Sequence, residues 1–527
     1  MTGPDRACDV AIVGGGHNAL VAAGYLARAG LRVRVLERLP APGGAAVSAR
    51  AFDGVDARLS RYSYLVSLLP RRIIEDLGAP IRLARRTHSS YTPDPVTAGR
   101  TGLLVGPRST FDAIGAAADA PRFAEFYRRA RLVTVPLWPT LLEPLPTRTA
   151  ARDRVIGADP AAAGAWRALI DEPIGRAVTA SVDHDLVRGV LATDALIGTF
   201  ADLDDPSLRQ NVCLLYHLLG GGTGNWDVPV GGMGAVTDAL AAAATGHGAD
   251  IVTGAEVHAI SPDGEVRYRQ GGADRVTTAG FVLCGATPTV LADLLGEPAE
   301  APAPGAQIKI NLMLRRLPRL RDGAVGAEEA FGGTFHINET WTQLNDAYTA
   351  AAAGRVPDPL PCEIYCHSLT DPSILSPGLR AAGAHTLTVF GLHTPHALVA
   401  GTDDRDGARR RLTDAALASL NSVLAEPVEE VVMSDAHGRP CVEAKTTLDL
   451  EDGLRMTAGN IFHGELRWPF AEDDEELNTP AQRWGVATSH RRIMLCGSGS
   501  RRGGAVSGVG GHNAAMAVLA ELGRPGR

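Results

Sequence analysis

Runs of apolar and polar positions change character along this chain, and each change predicts a different element. Asp9-Val-Ala-Ile-Val-Gly14 is a short β-branched run that stops at glycines, the pattern of a buried strand feeding a tight turn. The alanine-rich segment 20–29 predicts a helix ended by Gly30, and Arg32-Val-Arg-Val-Leu36 predicts a second strand that delivers Glu37. In the middle of the chain, 236–244 reads as helical and 251–260 and 281–284 as extended. Gln307-Ile-Lys-Ile-Asn-Leu-Met313 is another extended run. Near the end, 492–496 predicts a short strand, followed by a glycine-rich loop and an alanine-rich helix over about 511–522. This alternation of strands and helices predicts an α/β fold.

Composition narrows the picture. At 527 residues the chain is about 3.5 times a typical ~150-residue domain, so more than one core is expected. A hydrophobic content of 45% against 21% charged residues excludes wholesale disorder. The net charge of −8 argues against a nucleic-acid-binding surface. Of 51 basic residues only Lys309 and Lys445 are lysine, so a lysine that persists among 49 arginines invites a question about its role. The seven cysteines are scattered, odd in number and without a C-x-x-C pair; neither a disulfide scaffold nor a metal site is expected.

Only eight residues precede the first apolar run, too few for a signal peptide, and no stretch of about 20 apolar residues exists to span a membrane. A cytoplasmic location is the expectation. The apolar segment 62–69 reads as a buried helix start, with peripheral membrane contact as the alternative.

The strongest chemical signal is Gly14-Gly15-Gly16-His17-Asn18-Ala19, which fits G-x-G-x-x-[G/A] between a strand and a helix. Gly14 allows the tight turn, and Gly16 lets backbone amides approach a pyrophosphate at the helix N-terminus. Ala19 replaces the third glycine and slightly crowds the helix–strand contact. Glu37, 23 residues after Gly14, can accept hydrogen bonds from a ribose diol. Arg38 and the glycine pair of Pro42-Gly43-Gly44-Ala45-Ala46 follow at once, so the chain can double back under the phosphates. No second unit of this kind follows, and 220–224, though glycine-rich, leads into Asn225-Trp226-Asp227 and reads as a loop. One dinucleotide site is expected, and FAD fits it best.

Val13-Gly-Gly-Gly-His-Asn-Ala-Leu-Val-Ala-Ala23, Leu36-Glu-Arg38 and Gly43-Gly-Ala-Ala-Val-Ser48 resemble the phytoene-desaturase-like FAD oxidoreductases, and most closely the branch named pyridine nucleotide-disulphide oxidoreductase domain-containing protein 2. The resemblance recurs in Ser63-Tyr-Leu-Val-Ser-Leu-Leu69, Gly231-Gly-Met-Gly-Ala-Val-Thr-Asp-Ala-Leu240, Glu256-Val-His-Ala-Ile260 and Gly459-Asn-Ile-Phe-His-Gly464. It ends in Leu495-Cys-Gly-Ser-Gly499, Gly503-Gly-Ala-Val-Ser-Gly508 and His512-Asn-Ala-Ala515. It is weakest over 100–210 and 310–450. It implies a Rossmann-type, glutathione-reductase-like FAD-binding domain assembled from 1–70, 212–304 and 455–527. An interleaved α+β substrate domain would take 71–211 and 305–454. It also implies cofactor contacts at Gly14, Gly16, His17, Asn18, Ala19, Glu37, Arg38, Gly43, Gly44, Ala45 and Val257, and at Gly497, Ser507, Gly508 and Asn513 in the C-terminal loop and helix.

For the chemistry, Lys309 and His463 are the candidates. Distant relatives, the flavin amine oxidases, carry a lysine on a comparable strand that holds a water at flavin N5, and His463 lies in a signature near the ring. His217, Trp226, His393 and His396 are candidates for the substrate cavity. The implied activity is desaturation or redox isomerisation of a small apolar organic substrate (polyene, lipid or secondary metabolite), with O2 or a quinone as candidate electron acceptor. Amine oxidation or reductive cyclisation in a natural-product pathway is the in-class alternative. A prenyl-binding chaperone of the GDP dissociation inhibitor type is the non-enzymatic one.

Overall fold

The structure is a computed structural model that describes residues 7–222 and 224–524. Two seven-stranded sheets organise it. In the first, the parallel strands Cys8–Val13, Val33–Leu36 and Asp250–Val252 lie side by side, and Ile493–Leu495 joins beyond the C-terminal half of Ala273–Cys284. Ala273–Cys284 belongs to two environments. Its first half alternates less exposed and exposed residues in an antiparallel meander with Ala255–Ile260 and Glu265–Gln270. Its last residues, Val282, Leu283 and Cys284, are all buried, because Leu283 faces the helical layer while Val282 and Cys284 face the meander and helix Pro288–Leu295.

Helix His17–Arg28 packs between helices Val509–Glu521 and Met233–Gly246. A Cβ on Gly511 would stand 1.8 Å from the Asn18 carbonyl oxygen, so the approach of the C-terminal helix to the first helix depends on that glycine. The strands of this sheet thus come from the beginning, middle and end of the chain.

The second sheet runs Val442–Lys445, Ile308–Leu314, His385–Gly391, Cys362–Tyr365, Thr334–Ile337, Ser90–Pro93 and Gly102–Val105. All its pairs are antiparallel except that between Thr334–Ile337 and Ser90–Pro93. Every residue of Ile308–Leu314 is buried, Lys309 included, in keeping with its central position. A third body is helical. Ala120–Leu137, Arg148–Ala158, Ile174–Ser181, Asp185–Ala192 and Arg209–Leu219 share one core around Trp166, Val133 and Leu219.

Two sequence expectations change here. The boundary at 211/212 falls inside helix Arg209–Leu219, whose apolar face packs on Ala120–Leu137, so that helix sits with the helical body. Segment 62–69 is not a helix start: the helix begins at Arg71, and Val66 instead makes an isolated bridge to Asp227. Pro70 ends the extended stretch, since proline disfavours helical backbone in the residue before it. Among the described residues no helix is long and apolar enough to cross a membrane, and all seven cysteines are free and buried.

Candidate functional site

A cleft runs from the glycine turn of the first sheet to the helical body. At its first end lie Val13 to Ala19, Leu36 to Leu39, and Ala255, Glu256 and Val257. Gly14 has φ +88°, which favours glycine. The Gly15 amide donates to Glu37 Oε2 at 2.6 Å and the Leu39 amide to Glu37 Oε1 at 2.7 Å. Each carboxylate oxygen keeps a further lone pair for a ligand hydroxyl. Gly16 caps helix His17–Arg28 without a side-chain acceptor, no acid stands in the first turn, and a Cβ on Gly16 would meet nothing within 4 Å. That leaves an uncapped helix N-terminus with space before it, the arrangement that takes a phosphate.

Gly43 supports this turn without lining the cleft: its amide donates to the Gly15 carbonyl at 2.8 Å. Gly44 lies so close that a Cβ there would be 3.2 Å from Gly16 Cα, and Gly44 and Ala45 reach the cleft wall. Arg38 also lines it, although its guanidinium donates to the Gly453 carbonyl at 2.6 Å. The crowding expected from Ala19 is met from the other side. Gly285 stands opposite, where a Cβ would come 3.4 Å from that of Ala19.

The C-terminal loop supplies Gly497, Ser498, Gly504, Ala505 and Val506 to the wall. Ser507, Gly508 and Asn513, expected as cofactor contacts, do not line the cleft. The Ser507 hydroxyl accepts from the Val509 amide at the start of the last helix. Gly508 packs against Val21, Ile73 and Leu69. Asn513 donates to the Leu141 carbonyl at 3.2 Å and bonds His512. His17 and Asn18 line the cleft and also tie down this loop, through the Ala505 and Gly503 carbonyls respectively. Burial drives the His17 imidazole down to about 4, so it is neutral near pH 7.

Midway along the cleft stands His463, at φ +63°. Its Nδ1 is buried with no hydrogen-bond partner, and burial, with nearby His17, lowers its pKa to about 4. Lys309 is placed differently from the expectation. It does not line the cleft: its ammonium donates to the Ser60 carbonyl and lies 5.6 Å from the ring centroid of Tyr64, which does line it. Burial lowers the Lys309 pKa to about 7, opposed by Glu443.

The far end of the cleft is apolar, walled by Leu65, Leu68, Ile197, Tyr216, Phe390, Ile461 and Leu466. His217 and Trp226 line it as expected and stack on each other at 4.9 Å. His393 and His396 do not. His393 packs against Phe200 and Tyr348, and His396 bonds Thr447. The residues that sequence reasoning missed, such as Tyr216, Phe390 and Met456, carry no motif; they are ordinary apolar positions until the fold turns them inward.

Fold and site together define a protein with a Rossmann-like dinucleotide unit joined to a second sheet and a helical body. The NAD(P)-binding Rossmann-like domain family matches residues 12–70. An uncharacterized protein of Mycobacterium tuberculosis is 66% identical over 99% of both chains. Rat pyridine nucleotide-disulfide oxidoreductase domain-containing protein 2 is 30% identical, covering 98% of this chain and 94% of its own. The chain belongs to that family. Its fold is similar to that of wild-type putrescine oxidase bound to putrescine, at a TM-score of 0.56 and 16% identity over 98% of this chain and 99% of the other.

Proposed function

We propose that this protein is an FAD-dependent oxidoreductase, of phytoene-desaturase-like type, that desaturates or redox-isomerises a small apolar organic substrate. The observation that carries the reading is the continuity of the cleft: a nucleotide-holding turn at one end and an apolar chamber at the other, with a neutral histidine between them. The donor set fits FAD. Glu37 can take the ribose hydroxyls, the uncapped helix at Gly16 the pyrophosphate, and the wall from Gly497 to Val506 the remainder of an extended dinucleotide.

FAD supplies hydride acceptance or donation at its N5. The chain's own residues bind, orient and exclude water. Leu65, Leu68, Ile197 and Phe390 form a dry wall that holds a C–H bond in position, and positioning accounts for much of the rate in such a reaction. Desaturation removes a proton as well as a hydride, and His463, a neutral imidazole on the cleft wall, is the residue we assign to take it. An amine-oxidising reading, by analogy with putrescine oxidase, gains nothing from Lys309, which is engaged behind Tyr64.

The test is spectroscopic. Purified protein should keep the yellow flavin band through desalting; colourless protein that fails to take up added FAD would overturn the proposal. Anaerobic photoreduction, followed by addition of O2, a quinone or an unsaturated lipid, then reads which oxidant the flavin uses.

A further inference from the structure

Three ligand-type side chains converge under the second sheet, outside the cleft. His336 and Glu363 are directly opposed on the antiparallel strands Thr334–Ile337 and Cys362–Tyr365, so their side chains share one face. Asn338, at φ +57°, turns the chain just past the first strand and brings Glu339 back towards them. One ligand atom from each of the three lies within 4.8 Å of the other two, and His336 Nδ1 is 3.6 Å from Glu339 Oε2.

All three side chains are more than nine-tenths buried: His336 is 5% exposed, Glu339 1% and Glu363 0%. His336 Nδ1, Glu339 Oε1 and Glu363 Oε1 nevertheless have no hydrogen-bond partner. Buried polar atoms are almost always satisfied, and leaving one unpaired is destabilising. Each of the three residues of the cluster thus carries one such orphan. The second oxygen of each carboxylate is already held, Glu339 Oε2 by the Thr193 hydroxyl at 2.7 Å and Glu363 Oε2 by the Tyr365 hydroxyl. Nearby Arg86 does not neutralise the pair by hydrogen bonding; its guanidinium donates to the Trp226 carbonyl and the Thr334 hydroxyl.

We infer that His336, Glu339 and Glu363 form a binding site for one divalent first-row transition ion, such as Zn2+ or Mn2+. One imidazole nitrogen and two carboxylates are the donor types such ions prefer over Ca2+ or Mg2+, which favour oxygen alone. Metal–ligand bonds of about 2.1 Å set tetrahedral ligands roughly 3.4 Å apart, and His336 Nδ1 lies 3.6 Å from Glu339 Oε2, the oxygen that Thr193 also holds. Thr193 and Tyr365 orient the carboxylates from behind, the usual outer partners of metal ligands. His336 also borders a second, polar cavity lined by Arg86, Asp194 and Tyr365, which gives an ion a route in. The site is independent of the dinucleotide and of the activity proposed for the cleft.

The test uses the full-length protein as purified, with any affinity tag removed. After chelation it is dialysed against Zn2+ or Mn2+, passed through gel filtration and measured by elemental analysis. One equivalent of one of these ions per chain is expected, with affinity falling at least tenfold in Glu339→Gln and Glu363→Gln and less in Tyr365→Phe. Exposed Glu476→Gln should bind like the wild type. Wild-type retention of both ions no greater than that of the double Glu339→Gln/Glu363→Gln variant overturns the proposal. If the variants do not fold, X-ray absorption on loaded wild-type protein decides. A nitrogen/oxygen shell with one imidazole supports the site, whereas a sulfur shell or several imidazoles would place the ion elsewhere.

Discussion

The Gly15 amide and the Glu37 carboxylate meet at 2.6 Å, joining the glycine turn after the first strand to the acid at the end of the second. A Cβ on Gly15 would stand 3.1 Å from Glu37 Oε2, so the residue types at both positions depend on the contact. Glu37 therefore shapes the turn itself.

Glu37→Ala should weaken FAD binding by about 10–100-fold, the loss expected for hydrogen bonds to a charged acceptor, about 1.5–3 kcal/mol. The measurement is the flavin-to-protein ratio after desalting, together with titration of apoprotein by FAD. Undiminished occupancy would remove Glu37 from the cofactor site.

Leu68 is 3% exposed and lines the apolar end of the cleft. Leu68→Trp should fill part of that chamber while leaving the nucleotide end untouched. Flavin content should stay at the wild-type level, and the flavin spectral shift produced by a fatty-acid or polyene probe should need at least tenfold more probe. A wild-type titration with the variant would show that substrate does not use this end.

The position of Lys309 behind Tyr64 changes what its substitution should do. Lys309→Met should retain flavin and change the rate of each flavin half-reaction by less than tenfold, read by stopped-flow absorbance. Its effect should appear in stability instead. The folded-state pKa of about 7 lies below the unfolded value of about 10.4, so between these values the unfolded chain binds more protons. The lysine's contribution is complete above pH 10.4 and is lost as pH falls to 7. Relative to wild type, the variant should gain roughly 3–4 kcal/mol between pH 10 and pH 7 in urea unfolding. A large fall in flavin reduction rate with unchanged stability would restore a direct catalytic role.

His393 is fully buried against Phe200 and Tyr348, with neither ring nitrogen hydrogen-bonded. Burial lowers its pKa to about 3, against an unfolded value of about 6.5. Stability is therefore whole above pH 6.5 and lost as pH falls towards 3, because only the unfolded chain takes up the proton. His393→Leu should abolish this share. From pH 8 to pH 5 the wild type should lose about 2 kcal/mol more than the variant, as read from urea midpoints at the two values. Equal losses would mean that His393 is hydrated or protonated in the folded state.

The nucleotide end was legible because its physics is local. A turn, an uncapped helix and an acid at a set spacing lie within some 30 consecutive residues, and Gly14, Gly16, Ala19 and Glu37 come together at one end of the cleft. The C-terminal loop was legible in part. Gly497 reaches the cleft, but Ser507, Gly508 and Asn513 turn to neighbouring helices, a choice made by packing against Val21 and Leu141. Lys309 could be singled out by its rarity, yet its partners, Ser60 and Tyr64, lie some 250 residues away in sequence.

By itself the sequence determined the α/β class, the position of the dinucleotide turn and the acid that faces it. Those follow from periodicity, glycine conformation and short-range spacing. The tertiary structure alone decided which apolar residues wall the chamber, that Lys309 stands behind Tyr64, and that His336 faces Glu363 across two strands with Glu339 beside them. These depend on strand register and on contacts between segments far apart in the chain. A pattern of single residues does not encode such pairings until the sheets have formed.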